Sequence, residues 1–331
     1  MKYRKLGQSD LHLSVVTFGA WAAGGWMWGG TERSEAVKAI RAGFDSGMTS
    51  IDTAPAYGQG TSEEIVGEAI KGIPRDQVQI LTKFGLSWEG TKGQFFFSSK
   101  NNQGKPIEIY RYSGKESIIR ECETSLRLLG TDYIDLYQIH WADPTTPIQE
   151  TMEAVAQLIK EGKVRYAGVC NYDVDQMKEA AKYIELVSNQ VPYSMIKRDI
   201  EQDLVPYLME NKQSVLAYSP LQRGLLSGKI GPDHQFSEGD TRAGSTYYSA
   251  KNIRLINTFL GKIKPLADEK NATLIQLVIR WTIEQPGITI ALVGARNAAQ
   301  TVENAQAFQV KLNADEISFI NGELDKLKLE L

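Results

Sequence analysis

The sequence predicts an α/β fold, a closed (β/α)8 TIM barrel, on the strength of two observations. Eight short apolar runs alternate with longer segments of helical periodicity through most of the 331 residues, which is typical of a parallel sheet with crossover helices. Several of these runs also end in a polar residue. Such residues need a shared, partly desolvated site, and a barrel offers one at its catalytic face. We expect one domain covering residues 1–331.

The predicted strands and helices follow one another along the chain. The strands are expected at residues 15–19, 49–53, 79–83, 133–140, 164–170, 186–190, 214–218 and 289–294. The helices are expected at residues 33–46, 62–71, 115–129, 147–161, 174–183 and 200–211, and a region at 251–284 is long enough for two more.

Three further segments extend the barrel. Residues 3–6 and 11–13 flank the turn-rich tetrad 7–10, which predicts an N-terminal β-hairpin closing the bottom of the barrel. Two βα connections, 84–114 and 219–250, are too long to be simple links, and the first is rich in aromatic residues. Long loops at the catalytic face usually shape a pocket or a lid, and the alternative for the first loop is that it only packs over the barrel.

The charge balance and the hydropathy exclude several classes of protein. Lys and Arg number 37 against 40 Asp and Glu, which gives a formal net charge of -3. Because no basic run is present, nucleic acid is not an expected partner. No stretch of about 18 apolar residues occurs, and no apolar segment follows the basic residues near the start. We therefore expect a cytoplasmic protein with no membrane partner.

The spacing of cysteine and histidine gives no metal site. The 2 Cys, Cys122 and Cys170, are far apart, and the 3 His, His12, His140 and His234, do not cluster. Zinc sites need close pairs of such ligands. We expect no metal and two reduced thiols.

Four polar residues form the candidate catalytic set. Asp52, Lys83 and His140 close strand runs, and Tyr57 follows one by a short loop. If a carbonyl is reduced, Tyr57, with an ordinary pKa of ~10, can give its proton to the developing alkoxide. We expect the Lys83 ammonium to lower the pKa of Tyr57, Asp52 to hold Lys83, and His140 to fix the carbonyl oxygen. Taken singly, each residue also has an ordinary structural explanation, such as a buried ion pair.

A family resemblance rests on several spaced motifs. No Gly-x-Gly-x-x-Gly or Walker motif is present, so a Rossmann domain is not supported. Residues 52–58, 81–83 and 132–141 (Asp-Thr-Ala-Pro-Ala-Tyr-Gly, Leu-Thr-Lys and Asp-Tyr-Ile-Asp-Leu-Tyr-Gln-Ile-His-Trp) closely resemble aldo-keto reductase patterns. Further matches follow in order at 29–31 (Gly29, Gly30 and Thr31), 168–171, 189–190, 217–221 and 294–296. The chain is most similar to the bacterial general-stress-protein and inositol-catabolism branch of that superfamily.

The resemblance implies an NADPH-dependent reductase that uses NADPH/NADP, with Asp52, Tyr57, Lys83 and His140 as its tetrad. Asn171 and Gln190 match positions that hold the nicotinamide carboxamide, and Tyr218 matches the aromatic residue that stacks on the ring. Cys170 departs from the family, which usually has Ser there. The implied cofactor-binding residues are Ala20, Trp21, Asp52, Cys170, Asn171, Gln190, Tyr218, Ser219, Pro220, Leu221, Arg223, Gly224, Lys229, Gly294, Arg296, Gln300 and Asn304.

The phosphates of the cofactor have two expected sites. Residues 219–229 resemble the segment that wraps a pyrophosphate, where Gly224 allows close backbone approach and Arg223 and Lys229 supply charge. Arg296 stands at the start of a helix after the last strand, which suits a 2′-phosphate and favours NADPH over NADH. Gln300 and Asn304 could instead be solvated helix residues.

The expected partner is a small-molecule carbonyl substrate. Trp21, Trp28, Trp88 and Trp141 fall at the catalytic end and predict a pocket for aldehydes or ketones with modest apolar bodies. Two alternatives stay open. One is a cofactor-sensing regulatory subunit resembling potassium-channel β subunits, and the other is a sugar- or inositol-related alcohol dehydrogenase that works oxidatively. The sequence predicts no oligomeric state.

Overall fold

Eight parallel strands close into a barrel in the computed structural model, which describes residues 1–27, 32–236 and 240–331. The barrel strands are β3 (Val16–Gly19), β4 (Ser50–Asp52), β5 (Gln79–Phe84), β9 (Ile134–Ile139), β10 (Val164–Cys170), β11 (Leu186–Pro192), β12 (Ser214–Tyr218) and β13 (Ile288–Val293). They follow chain order around the barrel, and β13 pairs with β3 to close it. The predicted (β/α)8 fold is confirmed.

The helices pack around the barrel with one apolar face inward. They are α1 (Arg33–Asp45), α2 (Thr61–Ile70), α3 (Lys115–Leu129), α4 (Ile148–Lys160), α5 (Val174–Ala180), α6 (Leu204–Glu210), α7 (Ala250–Glu269), α8 (Leu274–Glu284), α9 (Ala298–Gln306) and α10 (Ala314–Asp325). In α4, for example, the buried residues Met152, Val155 and Leu158 recur at helical spacing. Among the described residues, no helix is long and apolar enough to cross a bilayer.

The region predicted to hold two helices does so, and the break between them has a local cause. Asn271 has a φ of 52°, in the left-handed region, which ends the path of α7. Thr273 then accepts a hydrogen bond from the Gln276 backbone, and the Gln276 side chain accepts one from the Thr273 backbone. This capping box starts α8.

The predicted hairpin closes the bottom of the barrel. Its strands β1 (Tyr3–Lys5) and β2 (His12–Ser14) pair antiparallel. Leu6 and Leu13 are fully buried against the apolar side chains inside the barrel. The Arg4 guanidinium donates to the Ile288 carbonyl at the start of β13 at 2.8 Å. Burial and hydrogen bonding thus hold the hairpin at the end opposite the candidate site.

The long connection after β5 is not an irregular loop. It forms a three-stranded antiparallel sheet of β6 (Leu86–Ser87), β7 (Gln94–Lys100) and β8 (Pro106–Arg111), with β8 in the middle. The sequence did not predict this sheet, because the run Phe95–Phe97 lacks the alternation of a half-buried strand. The sheet lies at the catalytic end, where its aromatic side chains meet the loop after β3.

Candidate active site

A cavity of about 700 Å³ opens at the carboxyl ends of the barrel strands. Asp52, Tyr57 and His140 line it, whereas Lys83 is completely buried beneath it. This is the end of a parallel barrel at which loops and strand ends build active sites. The four residues that the sequence singled out therefore meet in one place.

Asp52 and Lys83 form a buried ion pair between neighbouring strands. The Lys83 ammonium donates to Asp52 Oδ1 at 2.6 Å and to the Thr53 carbonyl at 2.8 Å. Burial is the largest influence on the pKa of Lys83 and lowers it, but Asp52, Tyr57 and Cys170 together outweigh burial and raise that pKa above its usual value. The other oxygen of Asp52, Oδ2, accepts from Gln190 Nε2 at 2.8 Å. The Lys83 ammonium therefore stays charged under the cavity floor.

Tyr57 lies directly over this charge. The Lys83 ammonium is 4.9 Å from the centroid of the Tyr57 ring. Burial raises the pKa of Tyr57 to about 12, and the Lys83 charge offsets only part of that rise. The expectation of a net lowering is wrong for this site, because the loss of solvent outweighs the neighbouring cation. Tyr57 thus keeps its proton at neutral pH.

The loop that holds Tyr57 is fixed by a close backbone contact. A Cβ atom on Gly24 would lie 2.4 Å from the Tyr57 carbonyl oxygen, and one on Gly58 would lie 2.3 Å from the Gly24 carbonyl oxygen. Neither position has room for a side chain, so the two loops touch through bare backbone. The contact sets the height of Tyr57 above Lys83.

His140 follows β9 directly and faces Tyr57. The two ring centroids are 5.7 Å apart, with the planes at 80°. Burial, together with the Lys83 ammonium, holds the pKa of His140 well below its usual 6.5. His140 Nδ1 is buried and has no hydrogen-bond partner among the described residues. A neutral imidazole in this position offers one N–H donor and one acceptor.

Asn171 and Tyr218 lie beside His140. The Tyr218 hydroxyl donates to Asn171 Oδ1 at 3.0 Å, and Asn171 Nδ2 donates to the His140 carbonyl at 3.1 Å. Asn171 has a φ of 60°, a conformation that Asn tolerates better than most residues. An amide has two N–H groups and two lone pairs, so Asn171 keeps hydrogen-bonding capacity for a carboxamide.

The segment after β12 has an unusual backbone. Ser219, Gln222, Arg223 and Gly224 all have positive φ, at 56°, 44°, 51° and 92°. Three of them are not glycine, and such strain concentrates at functional sites. Left-handed turns present backbone N–H groups that bind anions. The Tyr248 hydroxyl braces the segment by donating to the Gln222 carbonyl at 2.6 Å.

The far end of the cavity lies at the start of α9. Gln300 Oε1 accepts from the Arg296 backbone at 2.9 Å, and Asn304 Nδ2 donates to the Gly294 carbonyl at 3.2 Å. Neither amide is only a solvated helix residue, because each one fixes the loop that precedes α9. Glu303 also lines this end of the cavity and was not predicted.

Nearly all the predicted cofactor residues line this one cavity. Ala20 does not line it and lies behind the wall, where its N–H donates to the Asp52 carbonyl. The lining residues among those predicted are Trp21, Asp52, Cys170, Asn171, Gln190, Tyr218, Ser219, Pro220, Leu221, Arg223, Gly224, Lys229, Gly294, Arg296, Gln300 and Asn304.

The four tryptophans predicted for the substrate pocket divide into three groups. Trp21 and Trp141 line the cavity. Trp88 does not line it and packs into the aromatic cluster beside it. Trp28 lies outside the described residues, as do Gly29, Gly30 and Thr31.

Sequence reasoning missed several residues at the site. Gln138 is buried, and it lies within 3.5 Å of Asp52 Oδ2 and 3.4 Å of the Gln190 amide. Its signal was present, since it stands on β9 two residues before His140, which directly follows that strand, and alternation places both on one face. Trp26, Phe96 and Phe97 also line the cavity, as do Met27, Leu86, Arg242 and Glu303, which were not predicted. The described residues contain no cluster of three or more His, Cys, Asp or Glu that could hold a metal ion.

Comparison with known proteins gives a consistent match. The model of the aldo/keto reductase family matches residues 15–324. Aldo-keto reductase YhdN of Bacillus subtilis is 38% identical over 98% of this chain and 94% of its own length. An NADH-specific methylglyoxal reductase of Escherichia coli is 36% identical over 95% of each chain. The solved glycerol dehydrogenase AKR11B4 of Gluconobacter oxydans is 34% identical, with a TM-score of 0.88 over 98% of this chain and 95% of that one.

Proposed function

This chain belongs to the aldo/keto reductase family, and we propose that it reduces aldehydes or ketones to alcohols with NADPH, with Tyr57 as the proton donor. One observation carries the proposal. Tyr57, protonated at neutral pH, has its ring next to both a buried ammonium and a neutral imidazole at the floor of a largely apolar cavity. The residues that line the rest of the cavity suit a nicotinamide dinucleotide.

Each member of the tetrad has a distinct part in the proposed reaction. A nicotinamide dinucleotide held by the residues that line the cavity would supply a hydride for the carbonyl carbon. As negative charge develops on the carbonyl oxygen, Tyr57 gives that oxygen its proton, and the Lys83 ammonium stabilises the phenolate that remains. Asp52 keeps Lys83 charged and oriented. His140 is neutral, so it can donate a hydrogen bond to the carbonyl oxygen without adding a charge.

NADPH is the cofactor we propose, on the strength of Arg296. This side chain stands at the start of α9, where free backbone N–H groups and the helix dipole also favour a phosphate. Glu303 disfavours NADPH, because a carboxylate at the same end of the cavity would repel a 2′-phosphate. The similarity to an NADH-specific enzyme makes the preference a point for direct measurement.

A second candidate function is alcohol oxidation. It is favoured by the similarity to a solved glycerol dehydrogenase. The tetrad works in either direction, since a Tyr57 phenolate can accept the proton that the alcohol loses. The ratio of kcat/KM for aldehyde with NADPH to kcat/KM for glycerol with NADP+, measured at one pH, would distinguish the two directions.

The proposal is tested by adding the purified protein to NADPH, and separately to NADH, with 4-nitrobenzaldehyde or methylglyoxal, and following absorbance at 340 nm. We expect rapid NADPH consumption and slower NADH consumption. Tight cofactor binding without turnover of any aldehyde or alcohol would contradict the proposal and favour the sensing role of a regulatory subunit. Equal use of both cofactors would remove the assignment of NADPH but not the reductase activity. We also propose a cytoplasmic location for the enzyme.

A further inference from the structure

A β-bulge interrupts β7 next to the cavity. Phe95 pairs with Tyr110 and Phe97 pairs with Ile109, so Phe96 is an extra residue without a partner on β8. Consecutive side chains of a regular strand point to opposite faces. The bulge removes that restriction, and both Phe96 and Phe97 line the cavity. Phe95 is half exposed on the strand and packs edge-on against Tyr110.

The two cavity-facing rings extend an aromatic wall from the catalytic group. Trp141 follows His140 in the chain, and its ring centroid is 5.3 Å from that of Phe96. Phe96 contacts Phe97 at 5.1 Å, and Phe97 stacks on Trp26 at 6.0 Å. These distances lie in the range of favourable aromatic pairs. We call Trp26, Phe96, Phe97 and Trp141 the aromatic wall.

Hydrogen bonds fix the aromatic wall to the barrel. The indole N–H of Trp26 donates to the Lys100 carbonyl at 3.0 Å, which ties the loop after β3 to the end of β7. Asn102, in the turn between β7 and β8, donates to the Gly24 carbonyl at 2.9 Å. Gly24 is the residue whose backbone contacts Tyr57. The wall and the proton donor are therefore held by one connected set of loops.

A cation supports Phe96 from β8. The Arg111 guanidinium carbon lies 5.0 Å from the centroid of the Phe96 ring, within the range of a cation–π contact. Arg111 also donates to Gln94 at the start of β7. The ring that the bulge turns into the cavity is thus packed between Arg111 and Trp141, in a fixed orientation that suits a rigid binding surface.

We propose that Phe96 is a specificity-determining residue, and that the aromatic wall selects carbonyl substrates with a flat apolar body, such as aryl aldehydes, over small hydroxylated ones. This inference rests on the proposed reductase function. An aryl group would stack on the wall while its carbonyl reaches Tyr57 and His140. A hydroxyl group packed against Phe96 and Phe97 would lose its hydrogen bonds to water without replacement, because a phenyl ring offers no hydrogen-bonding group and the Trp26 indole N–H already donates to the Lys100 carbonyl.

The test compares 4-nitrobenzaldehyde with glyceraldehyde in the wild type and in matched variants. We expect the wild type to favour the aryl aldehyde at least ~10-fold in kcat/KM, and Phe96→Ala to lower kcat/KM for that substrate by ~10–100-fold, mainly through KM. Glyceraldehyde should change by less than about threefold. Phe96→Leu keeps an apolar side chain and should give an intermediate loss. Phe95→Ala, one residue away and half exposed, should change neither substrate.

Two results would overturn the inference while leaving the reductase function intact. They are a wild-type preference for glyceraldehyde, and equal effects of Phe96→Ala and Phe95→Ala. If the wild type reduces neither aldehyde, the proposed function fails instead. Equilibrium binding of 4-nitrobenzyl alcohol then tests whether the aromatic wall binds an aryl group. Weaker binding in Phe96→Ala but not in Phe95→Ala would support the wall, and equal binding in all three proteins would overturn it.

Discussion

Gly24→Ala should slow the enzyme although Gly24 does not line the cavity. The new Cβ would lie 2.4 Å from the Tyr57 carbonyl oxygen, 2.7 Å from the Tyr57 carbonyl carbon and 3.1 Å from Tyr57 Cβ, and real Cβ contacts are essentially never shorter than 3.0 Å. The two backbones must therefore separate by at least about 0.6 Å, which is 3.0 Å minus 2.4 Å. Tyr57 would move relative to Lys83 and to the substrate carbonyl.

A displacement of that size has a known scale of effect. A misplacement of ~1 Å at a reacting group can cost ~10²-fold in rate, so we expect kcat/KM to fall by ~10–100-fold. Overpacking of this kind typically also costs ~1–3 kcal/mol of stability. The assay is steady-state reduction of 4-nitrobenzaldehyde with saturating NADPH, together with urea unfolding of the same samples.

The control variant is Gly261→Ala in α7. A Cβ at Gly261 meets no atom within 4 Å, and its φ is not positive. This variant should keep its activity and be no less stable, because Ala is the better helix former. Wild-type kcat/KM in Gly24→Ala would refute the idea that this backbone contact positions Tyr57. A fall in activity that only follows the unfolded fraction would refute it as well.

Three other predictions follow from the site and its surroundings. Arg296→Ala should weaken NADPH binding by ~10–100-fold and leave NADH binding nearly unchanged, because a charged hydrogen bond contributes about 1.5–3 kcal/mol. In the same fluorescence titration, Arg254→Ala, at an exposed position, should change the binding of neither cofactor. Equal losses for both cofactors would reject the 2′-phosphate role. The pKa of Tyr57 is raised to about 12 and that of His140 lies well below 6.5, so kcat/KM for reduction should vary by less than about threefold between about pH 7 and 9, and a steep loss there would contradict the assignment. Burial raises the pKa of the Glu63 carboxyl from 4.5 to about 7, so the free energy of unfolding decreases as the pH rises between these two pKa values. In urea unfolding at pH 5 and pH 8, Glu63→Gln should remove up to about 3 kcal/mol of that decrease. An unchanged pH dependence would contradict this prediction.

The barrel could be predicted because its signals are local. Each strand is a short apolar run and each helix has its own periodicity, so the alternation is visible without knowledge of long-range contacts. The Thr273-x-x-Gln276 capping box likewise marks the start of α8 in the sequence itself. A polar residue at the end of an apolar run was enough to locate Asp52, Lys83 and His140.

The three-stranded sheet of β6, β7 and β8 and the burial of the site residues could not be predicted from local sequence signals. The pairing of β7 with β8 depends on contacts between two segments, and the bulge at Phe96 exists only in that pairing. Trp88 shared the aromatic character of the true lining residues, and only the fold places it outside the cavity. The direction of the pKa change at Tyr57 depended on how far the hydroxyl is desolvated, which no sequence pattern reports.

The backbone of the segment after β12 was also hidden. Gly224 was expected to allow close backbone approach, but positive φ extends from it to Ser219, Gln222 and Arg223, and nothing in their side chains requires it. The tertiary structure imposes that conformation, in part through Tyr248. The positive φ values of this segment depend on tertiary contacts and could not be predicted from its sequence.

Tyr57→Phe tests the central claim most directly, because it removes one hydroxyl and keeps the ring against Trp21 and His140. NADPH oxidation at saturating 4-nitrobenzaldehyde is compared with the wild type, and NADPH affinity is measured by fluorescence in the same preparations. If Tyr57 donates the proton, turnover falls by ~10²–10⁴-fold while NADPH binds as before. Turnover near the wild-type rate, with NADPH still bound, would contradict the assignment.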